Sequence, residues 1–334
     1  MFTGTVVQLV RAVLRDAGLG QEGLPAGHRD LELMSGGVDA STFLVHRAAG
    51  DVVVKLEGTG LEAESGALRA WSSHSHHVPD VLGFGRLAQG GCAEPVPYLV
   101  LEVLRDHAGG VAPTASELLE ATPDLGSRIG EALGAELCRL HEAVHHEGFG
   151  NFGDSPGAER TYDSWGAYLS DYLGLHRDFV TATGVSDRRL RLALDALRDT
   201  SYDDAPRLLH GDVSVRNLAV YQRDPLAVGL FDPNPLGGDP SWDLAPVANK
   251  AALGDELCRR GGESGSAATD AAVWSGLQAA YGALPDGRMV AAQLVQAVLQ
   301  AEARHHGRGD GDLGEREVAV ADDFVRELVD RLVR

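Results

Sequence analysis

Apolar positions in the first twenty residues recur every three to four places. Val6, Val7, Leu9, Val10, Val13 and Leu14 are interrupted by Gln8, Arg11 and Arg15, which predicts an amphipathic helix rather than the unbroken apolar core of a secretory signal. The pattern then shifts to β-branched runs punctuated by glycine. LELMS (31–35), the turn GGVDAS, TFLVHRAAG (42–50) and DVVVKLEG (51–58) predict an antiparallel meander. GLEAESGALRAWSSH (60–74) returns to helical spacing, and DVLGFGRLA (80–88) and PYLVLEVL (97–104) predict two further strands. Beyond residue 105 helical spacing dominates, over 116–121, 125–146, 165–183 and 187–200 and again from 240 to the end. A β-like zone at 207–240 interrupts it. Five strands with one helix, followed by helices around a β insert, predict an α+β bilobal arrangement. The β-rich lobe is placed at 1–104 and the mostly helical lobe at 105–334, joined near 102–109.

Composition narrows the function. A chain of 334 residues can bury a sizeable core, and no run approaches the roughly 18 apolar residues of a membrane span. Cys92, Cys138 and Cys258 are odd in number and far apart, against a disulfide framework or a cysteine zinc site. A cytoplasmic protein is expected, with the oligomeric state left open. The formal charge of -20 argues against nucleic acid, which needs a basic face, and is compatible with a cationic small molecule.

The sharpest chemistry lies in the β-like zone, LLHGDVSVRNLAVY followed by VGLFDPNPLGGDPSWDLA. Asp212 precedes Asn217 by five positions, and Asp232 follows fifteen later, after the apolar run 227–231. Protein kinases place a base, a metal-binding asparagine and a metal-binding aspartate in this order. Phosphoryl transfer needs a carboxylate beside the attacking hydroxyl and oxygen ligands that hold magnesium against the triphosphate. A tight loop turns Asp212 and Asn217 into one cleft, and a hairpin strand delivers Asp232. Taken alone, Asp212 and Asn217 read as turn residues in a surface hairpin, and it is His210-Gly211 before them, Asp232 after them and the lobe order that favour the catalytic reading. Lys55 ends the strand DVVVK in the manner of a phosphate-gripping lysine, and the next helix offers Glu64 as its partner, with Glu62 in reserve.

These residues, with VVVKL, ESGALRAW, VLGFG, YLVLEVL and LCRLHEA in order, resemble the aminoglycoside phosphotransferase family of small-molecule kinases over most of 31–250. D-P-x-P-L-x-G-D-P-x-x-D-L-A is most similar to the streptomycin- and hydroxyurea-type branch. The resemblance implies a protein-kinase-like fold, Mg2+, and ATP or GTP as phosphate donor. Asp212 would position or deprotonate the acceptor hydroxyl, and Asn217 and Asp232 would hold magnesium. Lys55 would bind phosphates and Glu64 would orient it. Asp243 would support the catalytic loop. Ser35, Gly36, Gly37 and Ser41 would cover the phosphates, although SGGVDAST is not G-x-G-x-x-G. The backbone of Glu102, Val103 and Leu104 would meet the base. Trp165, Tyr168, Asp171, Trp242 and Glu302 are acceptor candidates from aromatic and acidic character alone. The acceptor implied is a hydroxyl of a small molecule, an antibiotic first, with a sugar or amino-alcohol metabolite as the alternative. A nucleotide-binding pseudokinase is the reading from another class.

Two further patterns overlap in LHEAVHHEGFGNFGD. His141-Glu142-Ala143-Val144-His145 spells H-E-x-x-H, which on a helix places two histidines on one face for zinc. The third ligand of the extended pattern falls on Asn151, a poor zinc ligand. Gly148 to Gly153 spells G-x-G-x-x-G but follows a predicted helix instead of a strand. Both read here as a helix end and the connector after it. The histidines of SHSHH (73–77) and RHHGRGD (304–310) read as solvated turns.

Overall fold

In the computed structural model the described residues are 4–19, 25, 27–34, 40–88, 95–151, 161–202, 204–224, 226–262, 265–305 and 315–334. The N-terminal lobe runs α1 (Gly4–Asp16), β1 (Leu31–Leu33), β2 (Ser41–Val45), β3 (Val52–Leu56), α2 (Leu61–Ser72), β4 (Val81–Leu87) and β5 (Val96–Glu102). Its strands form an antiparallel sheet in the order β1-β2-β3-β5-β4. The period-two alternation of β3 decides what each face carries. Val52, Val54 and Leu56 pack with Val10, Val13 and Leu14 of α1. Val53 and Lys55 therefore face the opposite side, where α2 lies.

The C-terminal lobe is mainly helical. It contains α3 (Ala115–Ala121), α4 (Gly126–Ala143), α5 (Trp165–Leu175), α6 (Arg177–Ala182), α7 (Asp187–Arg198), α8 (Ser241–Arg259), α9 (Ala267–Tyr281), α10 (Asp286–His305) and α11 (Glu315–Leu332). Short strands are set among them: β6 (Gly150–Asn151), β7 (Arg207–Leu209), β8 (Leu218–Arg223), β9 (Leu226–Leu230) and β10 (Leu236–Gly238). They pair as a sheet β6-β10-β7 and a hairpin β8-β9.

Two helices differ from the sequence expectation. The helix expected over 125–146 stops at Ala143, because Val144 turns extended and its carbonyl accepts the Leu208 N–H, while His145 bridges Arg207. Pairing with β7 takes the last residues out of the helix. The helix expected over 165–183 divides at His176, whose backbone leaves the helical region between α5 and α6.

Each lobe has an apolar cluster of its own, and a third cluster is shared between them. Leu61, Leu68 and Trp71 of α2 and Leu99 and Leu101 of β5 are buried in one cluster with Ile129, Leu133, Leu137, Leu140, Val228, Leu230, Leu244 and Leu277 of the helical lobe. Within that lobe α4 and α9 pack at backbone contact. A Cβ on Gly130 would lie 2.0 Å from the Val273 carbonyl, and one on Gly134 2.5 Å from that of Leu277. Gly130→Ala must push two buried helices apart, and a loss of about 2 kcal/mol or more is expected in denaturant melts. Gly66→Ala on α2, with nothing within 4 Å of the added methyl, is the control and should stabilise by about 0.5–1 kcal/mol.

Candidate active site

The site is built where the alternation of β3 meets the buried stripe of α2. Lys55 Nζ lies 2.7 Å from Glu64 Oε1 and 2.5 Å from Asp232 Oδ1. Lysine and glutamate are both buried, so each depends on the other to offset desolvation. Glu64, not Glu62, makes this contact. It falls on the inward stripe with Leu61, Leu68 and Trp71, whereas the exposed Glu62 faces Arg86 at 3.9 Å. Burial pushes the Glu64 carboxyl up to about 7, against the pull of Lys55. Burial also weighs on Lys55, but Glu64 and Asp232 outweigh it and raise its ammonium above the ordinary lysine value.

The catalytic-loop candidate follows β7. Gly211 has φ 79°, and a Cβ there would lie 1.8 Å from the Asn234 carbonyl oxygen, so this turn requires glycine. The exposed Asp212 is tied to Asn217, whose Nδ2 lies 2.9 Å from both the carbonyl oxygen and Oδ2 of Asp212. Both amide hydrogens of Asn217 are thereby committed, which leaves its Oδ1 as a ligand atom. Asp232 follows β9 with φ 57°, a left-handed conformation that a non-glycine residue adopts at a cost. Its surroundings hold it there. Phe231 N–H donates to the Asn217 carbonyl at 3.1 Å, and Asn234 N–H to the His210 carbonyl at 2.8 Å.

His210 joins these pieces. Its Nε2–H donates to the Phe231 carbonyl at 3.1 Å, and its Nδ1 accepts the Asp212 N–H at 3.3 Å. Burial lowers its pKa, so the ring is neutral with a fixed tautomer. Trp71 of α2 stacks over the ring at 6.0 Å between centroids and 5° between planes. Behind the loop, Asp243 of α8 accepts the His210 and Gly211 N–H groups, each at 2.7 Å, and faces His141 Nε2 at 3.0 Å. Burial alone would raise the Asp243 carboxyl. Hydrogen bonding and charge from His141, with help from His210 and Gly211, hold it below its ordinary value.

Magnesium takes hard oxygen ligands and usually one or two protein carboxylates. With Oδ1 of Asp232 on Lys55, its second oxygen and Oδ1 of Asn217 form a donor set that fits.

The other sequence candidates fall elsewhere. Ser41 is exposed at the start of β2, while Ser35, Gly36 and Gly37 lie outside the described residues. Glu102 ends β5 and donates its N–H to Asp80, and the Leu104 carbonyl accepts from Ala112, both at 2.9 Å. Three acceptor candidates need correction. Trp165, Tyr168 and Trp242 are 1%, 3% and 4% exposed and pack against one another inside the helical lobe, Trp165 stacked on Tyr168 and edge-on to Trp242, so they are core and not a ligand surface. Glu302 is engaged with His176 at 2.5 Å, and Asp171 is exposed on α5. In H-E-x-x-H, His141 is committed to Asp243 and Tyr281, and His145 lies beyond the helix with Nε2 2.9 Å from Arg207. The two histidines therefore do not share a helix face. Gly150 belongs to β6 and opens no helix, while Gly153 lies outside the described residues. Sequence reasoning missed Trp71 and Tyr281. Trp71 carried a readable signal, seven residues after Glu64 on one helix face, whereas Tyr281 lies 140 positions from its partner His141.

The sequence model of the phosphotransferase enzyme family (APH) matches residues 30–286, which spans every element of this site. The chain belongs to that family. No curated protein sequence matches this phosphotransferase. Among solved structures, it is similar to a Haemophilus somnus 129PT chain assigned as a fructosamine-3-kinase, with TM-score 0.60, 16% identity, and 98% of this chain and 97% of that one covered. A thermostable mutant of the aminoglycoside phosphotransferase APH(4)-Ia, in ternary complex with AMP-PNP and hygromycin B, aligns with TM-score 0.60 at 15% identity over 97% and 98% of the two chains. A Ralstonia eutropha JMP134 chain assigned as an aminoglycoside phosphotransferase aligns with TM-score 0.61 at 13% identity, covering 98% and 97%. At such identities the likeness establishes the bilobal kinase-like fold.

The Lys55–Glu64 pair sets a pH dependence. Below about 7 the Glu64 carboxyl takes up a proton and leaves Lys55 with Asp232 alone. Since its folded value lies above 4.5, what this group adds to stability is present below 4.5 and is lost as pH rises through about 7. Activity would run the other way in the reading that Glu64 orients Lys55 toward phosphates, a task for the charged carboxylate. The kcat/KM for nucleotide should fall on the acid side with a midpoint near 7, and Glu64→Gln should lower the whole profile and erase that limb.

Proposed function

We propose that this phosphotransferase moves the γ-phosphate of ATP or GTP to a hydroxyl of a small molecule, with an antibiotic as the first acceptor class. The observation that carries the reading is Lys55 held jointly by Glu64 and Asp232, with Asp232 placed by the same loop that ties Asp212 to Asn217. Strand-end lysine, helix glutamate, base candidate and two oxygen ligands are thus linked through direct contacts.

Each side chain has a distinct task in this reading. Lys55 releases Asp232 and turns to the α- and β-phosphates, still oriented by Glu64. Asp212, exposed to the cleft, accepts the hydrogen bond of the acceptor hydroxyl and takes its proton as the phosphoryl leaves. The Asn217 side chain fixes that carboxylate through Nδ2. Magnesium, when bound, neutralises charge on the phosphate oxygens; Asn217 Oδ1 and the Asp232 carboxylate are the residues to hold it. At the hinge, engagement of the Glu102 N–H and the Leu104 carbonyl concentrates base recognition on the Val103 carbonyl and the Leu104 N–H. Most of the catalytic effect is positioning and electrostatic stabilisation in a site assembled before substrate arrives.

The charge of -20 favours a cationic acceptor, and the 232–245 segment favours the streptomycin- and hydroxyurea-type branch. Similarity to a chain assigned as a fructosamine-3-kinase supports a second acceptor class, a sugar or amino alcohol. Transfer of labelled phosphate from ATP and from GTP should be screened over aminoglycosides, peptide and nucleoside antibiotics, and amino sugars. Magnesium-dependent labelling of at least one hydroxyl acceptor is expected. Nucleotide binding without labelling of any acceptor would mark a pseudokinase. Asp212→Asn should reduce transfer by about 10²–10⁴-fold while nucleotide still binds, and near-normal transfer by that variant would overturn the role given to Asp212.

A further inference from the structure

The space between the end of α9 and the start of α10 is bordered by residues that the phosphoryl chemistry does not use. Helix α9 ends at Tyr281, Gly282 turns the chain with φ 94°, and α10 begins at Asp286. Residues 282 and 283 supply no side chain and a single methyl, and a Cβ placed on Gly282 would meet nothing within 4 Å. The turn therefore leaves a cavity of about 200 Å³, bordered on its other sides by the start of α8 and the end of α11. None of Lys55, Glu64, Asp212, Asn217 and Asp232 lines it.

Floor and rim differ in chemistry. Leu244 of α8 is buried, and the half-buried Trp274, Leu284 and Met289 pack against the same apolar cluster. An apolar cavity of about 150 Å³ already admits a benzene ring, so this floor has room for one aromatic or branched aliphatic group. The rim is polar. Asp286 at the first position of α10 and Arg331 in the last turn of α11 are exposed charges of opposite sign. Among the described residues neither has a hydrogen-bond or ion-pair partner, the other included. The Gln278 and Gln293 side chains complete the lining with amide donors and acceptors.

We propose that this cavity is a small-molecule site separate from the phosphotransfer cleft, and that it takes a zwitterion of the apolar α-amino acid class. The side group lies on the apolar floor, the carboxylate meets Arg331 and the ammonium meets Asp286. The two charges decide the class. An anion would be repelled by Asp286 and a cation by Arg331, whereas an uncharged apolar ligand would leave both without a partner. One molecule that carries both charges beside an apolar group satisfies the whole lining. Met289, Gln293 and Arg331 lie beyond residue 286, where the match to the family model ends, so this wall belongs to the part of the chain outside the shared pattern.

Titration calorimetry of the full chain with phenylalanine is the direct test. Saturable binding with a Kd of about 1 mM or tighter is expected for a ligand of this size. 3-Phenylpropanoate lacks the ammonium, phenethylamine the carboxylate and glycine the ring, and each should bind about tenfold more weakly or worse. Arg331→Gln should weaken phenylalanine about tenfold and leave phenethylamine unchanged. Asp286→Asn should weaken it to a similar degree and leave 3-phenylpropanoate unchanged. Ala283→Trp, which fills the space without removing either charge, should abolish binding. If Ala283→Trp does not fold, the two substitutions at exposed positions carry the test. No saturation at about tenfold the expected Kd would overturn the proposal. So would phenylalanine binding that survives both charge substitutions, or that AMP-PNP displaces. None of these measurements uses phosphoryl transfer, so the site stands or falls apart from the function proposed above.

Discussion

One carboxylate without access to water organises this molecule. Asp243 is fully buried, and it meets its hydrogen-bonding requirement with two consecutive backbone amides and one imidazole. Amides of adjacent residues converge on one acceptor only when the chain turns sharply, and the positive φ of Gly211 supplies that turn. The tightness of the turn presses Gly211 against the Asn234 carbonyl, so the loop carrying Asp212 and the segment carrying Asp232 are packed at backbone contact. A conflict between burying a charge and satisfying it is thus resolved in a form that fixes both halves of the candidate site.

In front of that frame, Lys55 bridges two acids whose neighbourhoods differ. Glu64 is shut away with it, while Asp232 is part-exposed and held in a strained backbone conformation. Strain of this kind persists only where the surroundings over-determine it. Here the His210 ring, the Asn217 carbonyl and the Asn234 amide supply the determination. The lysine has a permanent partner behind it and a replaceable one before it, the arrangement expected of a group that must exchange a carboxylate for a phosphate.

Local rules made the scaffold legible. The β-branched run DVVVK predicts the strand that carries Lys55, the helix face that Glu64 shares with Leu68 favours it over Glu62, and the spacing of Asp212, Asn217 and Asp232 predicts one cleft. What stayed hidden depends on distant partners. The last residues of the helix expected over 125–146 are diverted by β7, sixty residues away in sequence. Trp165, Tyr168 and Trp242 look like ligand-binding aromatics when read singly, and only tertiary packing shows that they fill a core. Tyr281 carries no local sign of its place beside His141. The H-E-x-x-H string has the right letters, but a strand pairing removes its second histidine from the helix.

The continuous apolar cluster that joins α2 to α4, α8 and α9 bears on how the cleft can breathe. Leu61, Leu68 and Trp71 of α2 and Leu99 and Leu101 of β5 are buried among residues of the larger lobe, so helix and sheet are tied to it through one apolar surface. Any displacement of one lobe against the other has to slide or uncover that surface, and a wider cleft then costs free energy in proportion to the apolar area exposed.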